Sequence, residues 1–335
     1  MKTQASPAPG TVTLRGGDST IVVLPSLGGR LLQITAGGRD WLWRNDAVPL
    51  VAPPENGAFA THGETGGFVD CFPTITACQL PTWVKGAGAL GLGDHGDLWR
   101  ETPEFALETG AAGPQVRCVW RRDGAPYVFT RTITVQPDGA IVFAYAVHNQ
   151  SVNRLPFLWA PHTIFPLTNA TRLVLPEGAR MRVSSQEGAD FGGAAAEHYW
   201  PRLRSGAAIA DLSRPARALR VPYACKLFVE MPKGDCVVAI DEDGVRLAMA
   251  FSGREISRVA VAVNRGLFGP AHAATSSFPW NKSKPYSTVS LEPSLGAPEA
   301  LSDAIGAWIA AQWIEPDASL QWTMTWRATL VPDDE

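Results

Sequence analysis

The chain carries little charge, and neither sign is in excess. Across 335 residues, Lys and Arg number 29 and Asp and Glu 32, a net charge of -3. A balance this near neutral gives no electrostatic footprint for nucleic acid. No run reaches the ~18 consecutive apolar residues of a membrane-spanning helix. The opening Met1-Lys2-Thr3-Gln4-Ala5-Ser6-Pro7 lacks the apolar core of a secretory leader, so the expectation is a cytoplasmic protein with no membrane partner. Cysteine is sparse and unpatterned. Five residues, Cys71, Cys78, Cys118, Cys225 and Cys236, make an odd count without a Cys-x-x-Cys pair, and Cys71 and Cys78 stand too far apart for a zinc knuckle. They are expected to be reduced structural thiols. His-Glu-x-x-His and His-x-His spacings are absent too, so no local metal motif is present, and no cofactor is expected. Helical periodicity is nearly missing; its best instance is a short stretch over 297–311.

What is present is apolar and strand-like. A hydrophobic fraction of 45% with 18% charged residues describes a folded globular chain rather than a disordered one. Short β-type runs follow one another with glycine turns between them: Thr11–Leu14, Thr20–Leu24, Arg30–Ile34 after Gly28-Gly29, and Asp40–Trp43 after Gly37-Gly38. In Tyr127–Val135 the residues Val128, Thr130, Thr132 and Thr134 fall on one face, and Phe129, Arg131, Ile133 and Val135 on the other. The turn Gln136-Pro137-Asp138-Gly139 then leads into a second run, 140–147, a strong hairpin signal. Leu320–Leu330 alternates in the same way. Closely spaced strands with almost no helix between them argue for an all-β sandwich or barrel. No repeat of fixed period and no linker divides the chain, so a single domain over 1–335 is expected, with 183–206, rich in Gly, Ala and Ser, as a surface excursion. Most of the twelve tryptophans should be core, and some should offer flat faces to a ligand.

Three separated pieces carry acid–base chemistry. In Leu155–Phe165, His162 follows an apolar run and Pro161, which bars a regular central ladder and sets the imidazole at a strand end. In Val289–Pro293, Glu292 ends an apolar run before a proline; burial there would raise its pKa and make it a better base. In Gly93–Arg100, His95 precedes a glycine suited to a tight turn, and Trp99 and Arg100 follow. A fourth patch, Gly66–Ile75, contains Asp70, a carboxylate able to accept several hydrogen bonds. His62 and Glu64 beside it carry weaker signals, and His148, His198 and His272 read as structural or exposed.

Asn149, Pro156, His162 and Phe165 in that order, Glu292-Pro293 followed by Gly296-Ala297-Pro298, and His95-Gly96 followed by Arg100 resemble the aldose 1-epimerase (galactose mutarotase-like) superfamily. Arg100 lies one residue later than in the His-Gly-Phe-Ala-Arg form common among sugar-phosphate members. The resemblance implies a large antiparallel β-sandwich with few short helices and a monosaccharide or sugar-derivative substrate. It also implies His162 as general acid, Glu292 as general base, and sugar contacts from His95, Asp70, Arg100 and Trp99. Alternatives on the same fold remain open. A hexose-phosphate epimerase would need a basic cluster drawn from Arg30, Arg44, Arg100, Arg265, Lys282 or Lys284. A glycosidase or lyase would want a second carboxylate from Asp70, Asp94 or Asp97. A carbohydrate-binding protein without turnover would keep the aromatic platforms and would not need His162 near Glu292.

Overall fold

The computed structural model describes residues 10–331 apart from 46–47, 55–56, 60–61, 63, 87–89, 91 and 269–284. His272, Lys282 and Lys284 lie outside the described residues. Within them the chain forms two large antiparallel sheets packed as a sandwich, with one short α-helix, Leu301–Ile305, in place of the longer stretch expected there. The smaller sheet has eight strands and contains the expected hairpin: Tyr127–Val135 pairs with Ile141–Asn149. The larger has thirteen strands, its middle running Phe68–Cys71, Ala160–Pro166, Ser287–Ser294, Arg258–Arg265, Tyr223–Glu230 and Arg180–Glu187.

Two expectations about segments change. Trp41–Trp43 leaves the strand that ends at Asp40, because Trp41 turns inward and its indole N–H donates to the Ala36 carbonyl at 3.1 Å. The span 183–206 is no plain excursion: Arg180–Glu187, Glu197–Tyr199 and Arg202–Ser205 extend the large sheet outwards.

Side-chain alternation decides what each face of the large sheet does. Phe68, Phe165, Leu227, Val261, Val289 and Leu291 point inward and pack against Phe129, Phe143, Trp322 and Trp326 of the small sheet. Each such side chain, fully buried, contributes about 1.5–3 kcal/mol. The residues between them point outward: His162 and Ile164, Ser290 and Glu292, Ala262, and Lys226. The site therefore lies on the outer face of the large sheet, over a rigid floor.

The pairing of Ala160–Pro166 with Ser287–Ser294 is interrupted. Ile164 pairs with Ser290 and Trp159 with Leu295, so the same register sets Pro161 opposite Pro293 and His162 opposite Glu292. Neither proline has an N–H to give to its partner. The strands thus share no regular pairing between these two points, and His162 and Glu292 face each other across the gap.

Candidate active site

His162 Nδ1 stands 3.2 Å from Glu292 Oε1. The other carboxylate oxygen, Oε2, lies 3.0 Å from Lys226 Nζ. On the far side of the imidazole, Nε2 faces Glu64 Oε2 at 3.7 Å, too long for a well-formed hydrogen bond. The four groups thus alternate in charge along the outer face of the sheet: Lys226, Glu292, His162, Glu64. Glu292 is 1% exposed, Lys226 12%, His162 16% and Glu64 25%, so Glu292 is the most shielded of the four and Glu64 the most open.

The electrostatics follow from this order. Burial would raise the Glu292 carboxyl, as the sequence suggested, but Lys226 and His162 outweigh it and hold its pKa down at about 2. That corrects the expectation of a raised base. Burial would likewise lower His162, yet its contacts with Glu292 and Glu64 push it up to about 9, so the ring is an imidazolium at neutral pH. Burial also works against Lys226 and Glu64; Glu292 nonetheless raises the first, and His162 lowers the second.

His95 sits behind His162, with ring centroids 4.8 Å apart and edge-to-face. Its backbone is in the left-handed region at φ 61, followed by Gly96 at φ 69, and a side chain on Gly96 would meet the Phe72 carbonyl oxygen at 2.0 Å. The tight turn read from His95-Gly96 is therefore real, and only glycine fits it. Phe59 stacks on His95 at 3.6 Å and touches the edge of His162 at 5.4 Å. Burial lowers the His95 pKa despite a 3.0 Å contact with Asp94, which favours a neutral ring beside the charged one.

A cavity of about 280 Å³ opens beside these groups. Glu64, His162 and Lys226 line it with Asn264, Thr288 and Ser290, and Tyr286 and Phe268 supply aromatic surface. Among the described residues, no group of three or more His, Cys, Asp or Glu side chains stands as a metal-ligand set.

Three of the predicted sugar contacts lie elsewhere. Asp70 falls on the inward-facing side of its strand, 1% exposed, where Arg131 from the small sheet pairs with it at 2.5 Å and the Trp159 indole N–H donates to it at 3.0 Å. It ties the two sheets together rather than meeting a ligand. Trp99 is wholly buried; its N–H donates to the Asp94 carbonyl, and its ring supports Phe59 edge-on. Arg100 lies 4.8 Å over the Trp99 ring and donates to the Gly57 carbonyl, away from the cavity lining. Asp97 accepts from Tyr127 and pairs with Arg122, and Arg265 donates to the Ala216 and Val221 carbonyls, so neither faces the site. His62 is bonded locally to the Ala58 carbonyl. Asn149, from the motif that pointed to His162, holds the Ile314 and Glu315 carbonyls inside the fold.

Sequence reasoning passed over Lys226, Phe59 and, in large part, Glu64. Lys226 had a usable signal, since it is the sole charge in the run Tyr223–Val229.

No family model and no curated protein matches the chain. Solved structures do, across its whole length. The Slr1438 protein of Synechocystis sp. PCC 6803 aligns at TM-score 0.65 and 15% identity, covering 99% of each chain. A galactose mutarotase-like protein from Clostridium acetobutylicum aligns at TM-score 0.62 and 10% identity, over 96% of this chain and 95% of its own. A galactose mutarotase related enzyme from Lactobacillus acidophilus aligns at 0.57 and 14%, over 97% and 99%. The fold is therefore of the galactose mutarotase-like class, and at these identities the likeness concerns the fold alone.

Proposed function

We propose that the protein is an aldose 1-epimerase, interconverting the α and β anomers of a monosaccharide by opening and reclosing its ring. The observation that carries this reading is the His162–Glu292 pair at 3.2 Å, set by two facing prolines on the outer face of the sheet, with His162 lining the cavity and Glu292 buried beside it. The anomeric hydroxyl and the ring oxygen of an aldose share one carbon, so the groups serving them must be neighbours, as these two are.

Glu292 takes the proton from the anomeric hydroxyl. His162, charged at neutral pH, gives its Nε2 proton to the ring oxygen as the bond from that oxygen to the anomeric carbon breaks. The aldehyde turns about the adjacent carbon–carbon bond, and closure runs the two transfers backwards. With a pKa of about 2 the resting carboxylate is a weak base. A sugar that draws Lys226 and His162 towards its own oxygens loosens their hold on Glu292 and returns basicity to it. General acid and general base each contribute about 10²–10⁴-fold. That suffices for mutarotation, which is not a slow reaction in water.

Anomer-exchange NMR on a sugar panel tests the reading. Wild type should exchange at least one aldose faster than buffer, and Glu292→Gln and His162→Asn should each lose about two orders of magnitude or more. Full activity in either variant would rule out the assigned roles. Binding without exchange in wild type would make the protein a sugar-binding module.

A further inference from the structure

Lys226 projects from the middle of the strand Tyr223–Glu230 onto the same outer face as Glu292, on the side of that carboxylate away from His162. It lines the cavity, and its ammonium meets Glu292 Oε2 at 3.0 Å. A lysine ammonium carries three N–H donors and no acceptor, and one carboxylate oxygen does not occupy all three. Three groups therefore stand in sequence across the floor, with His162 on one oxygen of Glu292 and Lys226 on the other.

An aldose ring presents a matching order. The anomeric carbon bears the hydroxyl that Glu292 serves. To one side of it is the ring oxygen, which His162 serves. To the other side is C2 with its substituent. Once the first two contacts are made, the C2 substituent falls on the Lys226 side. Resting on the acid–base reading above, we propose that Lys226 is a specificity-determining residue that reads the substituent at C2 and requires a hydrogen-bond acceptor there. The substrates are then 2-hydroxy aldoses. A 2-deoxy sugar leaves the ammonium facing a methylene in a confined space. A protonated 2-amino sugar sets ammonium against ammonium, with no lone pair to accept, and is the worst fit.

The test compares glucose with 2-deoxyglucose, galactose with 2-deoxygalactose, and both with glucosamine held at a pH where its amine is charged. Anomer exchange and saturation-transfer NMR binding are both measured for wild type, Lys226→Met and Lys226→Arg. Wild type should favour each 2-hydroxy sugar over its 2-deoxy partner by about tenfold or more, the scale of one charge-assisted hydrogen bond. Glucosamine should rank last. In Lys226→Met the two ratios should collapse to near unity, and glucosamine should gain relative to the deoxy sugars. Lys226→Arg, which keeps the charge, should retain the preference and serves as the check if the methionine variant folds poorly. Equal use of hydroxy and deoxy sugars by wild type overturns the inference while leaving the acid–base reading intact. So does an unchanged ratio in Lys226→Met. If no sugar is either exchanged or bound, both fall.

Discussion

Glu64 Oε2 faces His162 Nε2 at 3.7 Å, on the opposite edge of the imidazole from Glu292. One ring is thus held between two carboxylates, one of them almost unexposed and the other open to the cavity. The second carboxylate keeps the proton on His162 while leaving Nε2 without a short partner, which is what a resting general acid needs. Replacing Glu64 by Gln removes one of the two anions without removing bulk. The His162 pKa should then fall from about 9 towards its ordinary value, and the alkaline limb of the anomer-exchange profile should move down with it. Titration of the His162 ring by NMR reads the shift directly, whether or not a substrate is in hand. An unmoved titration would show that Glu292 alone holds the charge.

The His162–Glu292 pair ties stability to pH in two directions. His162 has a folded pKa of about 9 against an ordinary 6.5, so its share of stability is complete below 6.5 and is lost as pH rises through 9. Glu292 has a folded pKa of about 2 against 4.5, so its share is complete above 4.5 and is lost as pH falls through 2. Both are fully present only between 4.5 and 6.5. Denaturant unfolding of wild type and of the double variant His162→Asn/Glu292→Gln, run from about pH 3 to about pH 10, should show the largest difference in that window. A difference that is flat across the range would contradict the ion pair.

Much of this was legible in the chain. Alternation in Tyr127–Val135 and in Leu320–Leu330 identified strands because each buries mainly one face. His162 and Glu292 stood out because each neighbours a proline, and those prolines do part the ladder. Asp70 was misread because its strand, Phe68–Cys71, is buried throughout and shows no alternation, so nothing local reveals that Asp70 faces Arg131 in the opposite sheet. Lys226, Glu64 and Phe59 reach His162 and Glu292 only through pairings between distant strands and loops, which no local pattern encodes. The depressed Glu292 pKa was missed for the same reason, since its cause is Lys226.

Asp70 and Arg131 should behave as structure rather than as site. With exposures of 1% and 0%, removing the anion leaves an unpaired guanidinium and an unpaired Trp159 N–H in the interior. Asp70→Ala should cost about 3–5 kcal/mol in denaturant unfolding, whereas an apolar replacement of both partners should recover part of that loss. Sugar binding by the folded fraction should be unchanged. A selective loss of binding with stability intact would restore Asp70 to the site.

Gly96 offers a way to disturb the site without touching a titrating group. It holds φ 69 beside His95, and an added methyl would meet the Phe72 carbonyl oxygen at 2.0 Å and its carbon at 2.4 Å. That carbonyl also accepts from the Asp97 N–H at 2.9 Å, so it cannot withdraw without breaking the turn. Gly124 shares the left-handed conformation, at φ 77, but has nothing within 4 Å of the added atom. Gly124→Ala therefore measures conformational strain alone, about 1 kcal/mol. Gly96→Ala adds a backbone collision and should cost clearly more in unfolding. It should also displace His95 from its stack on Phe59, move the His162 ring resonances, and slow anomer exchange at pH values where Gly124→Ala leaves exchange unaltered. Equal unfolding costs for the two variants would mean that the loop yields freely and does not position His95.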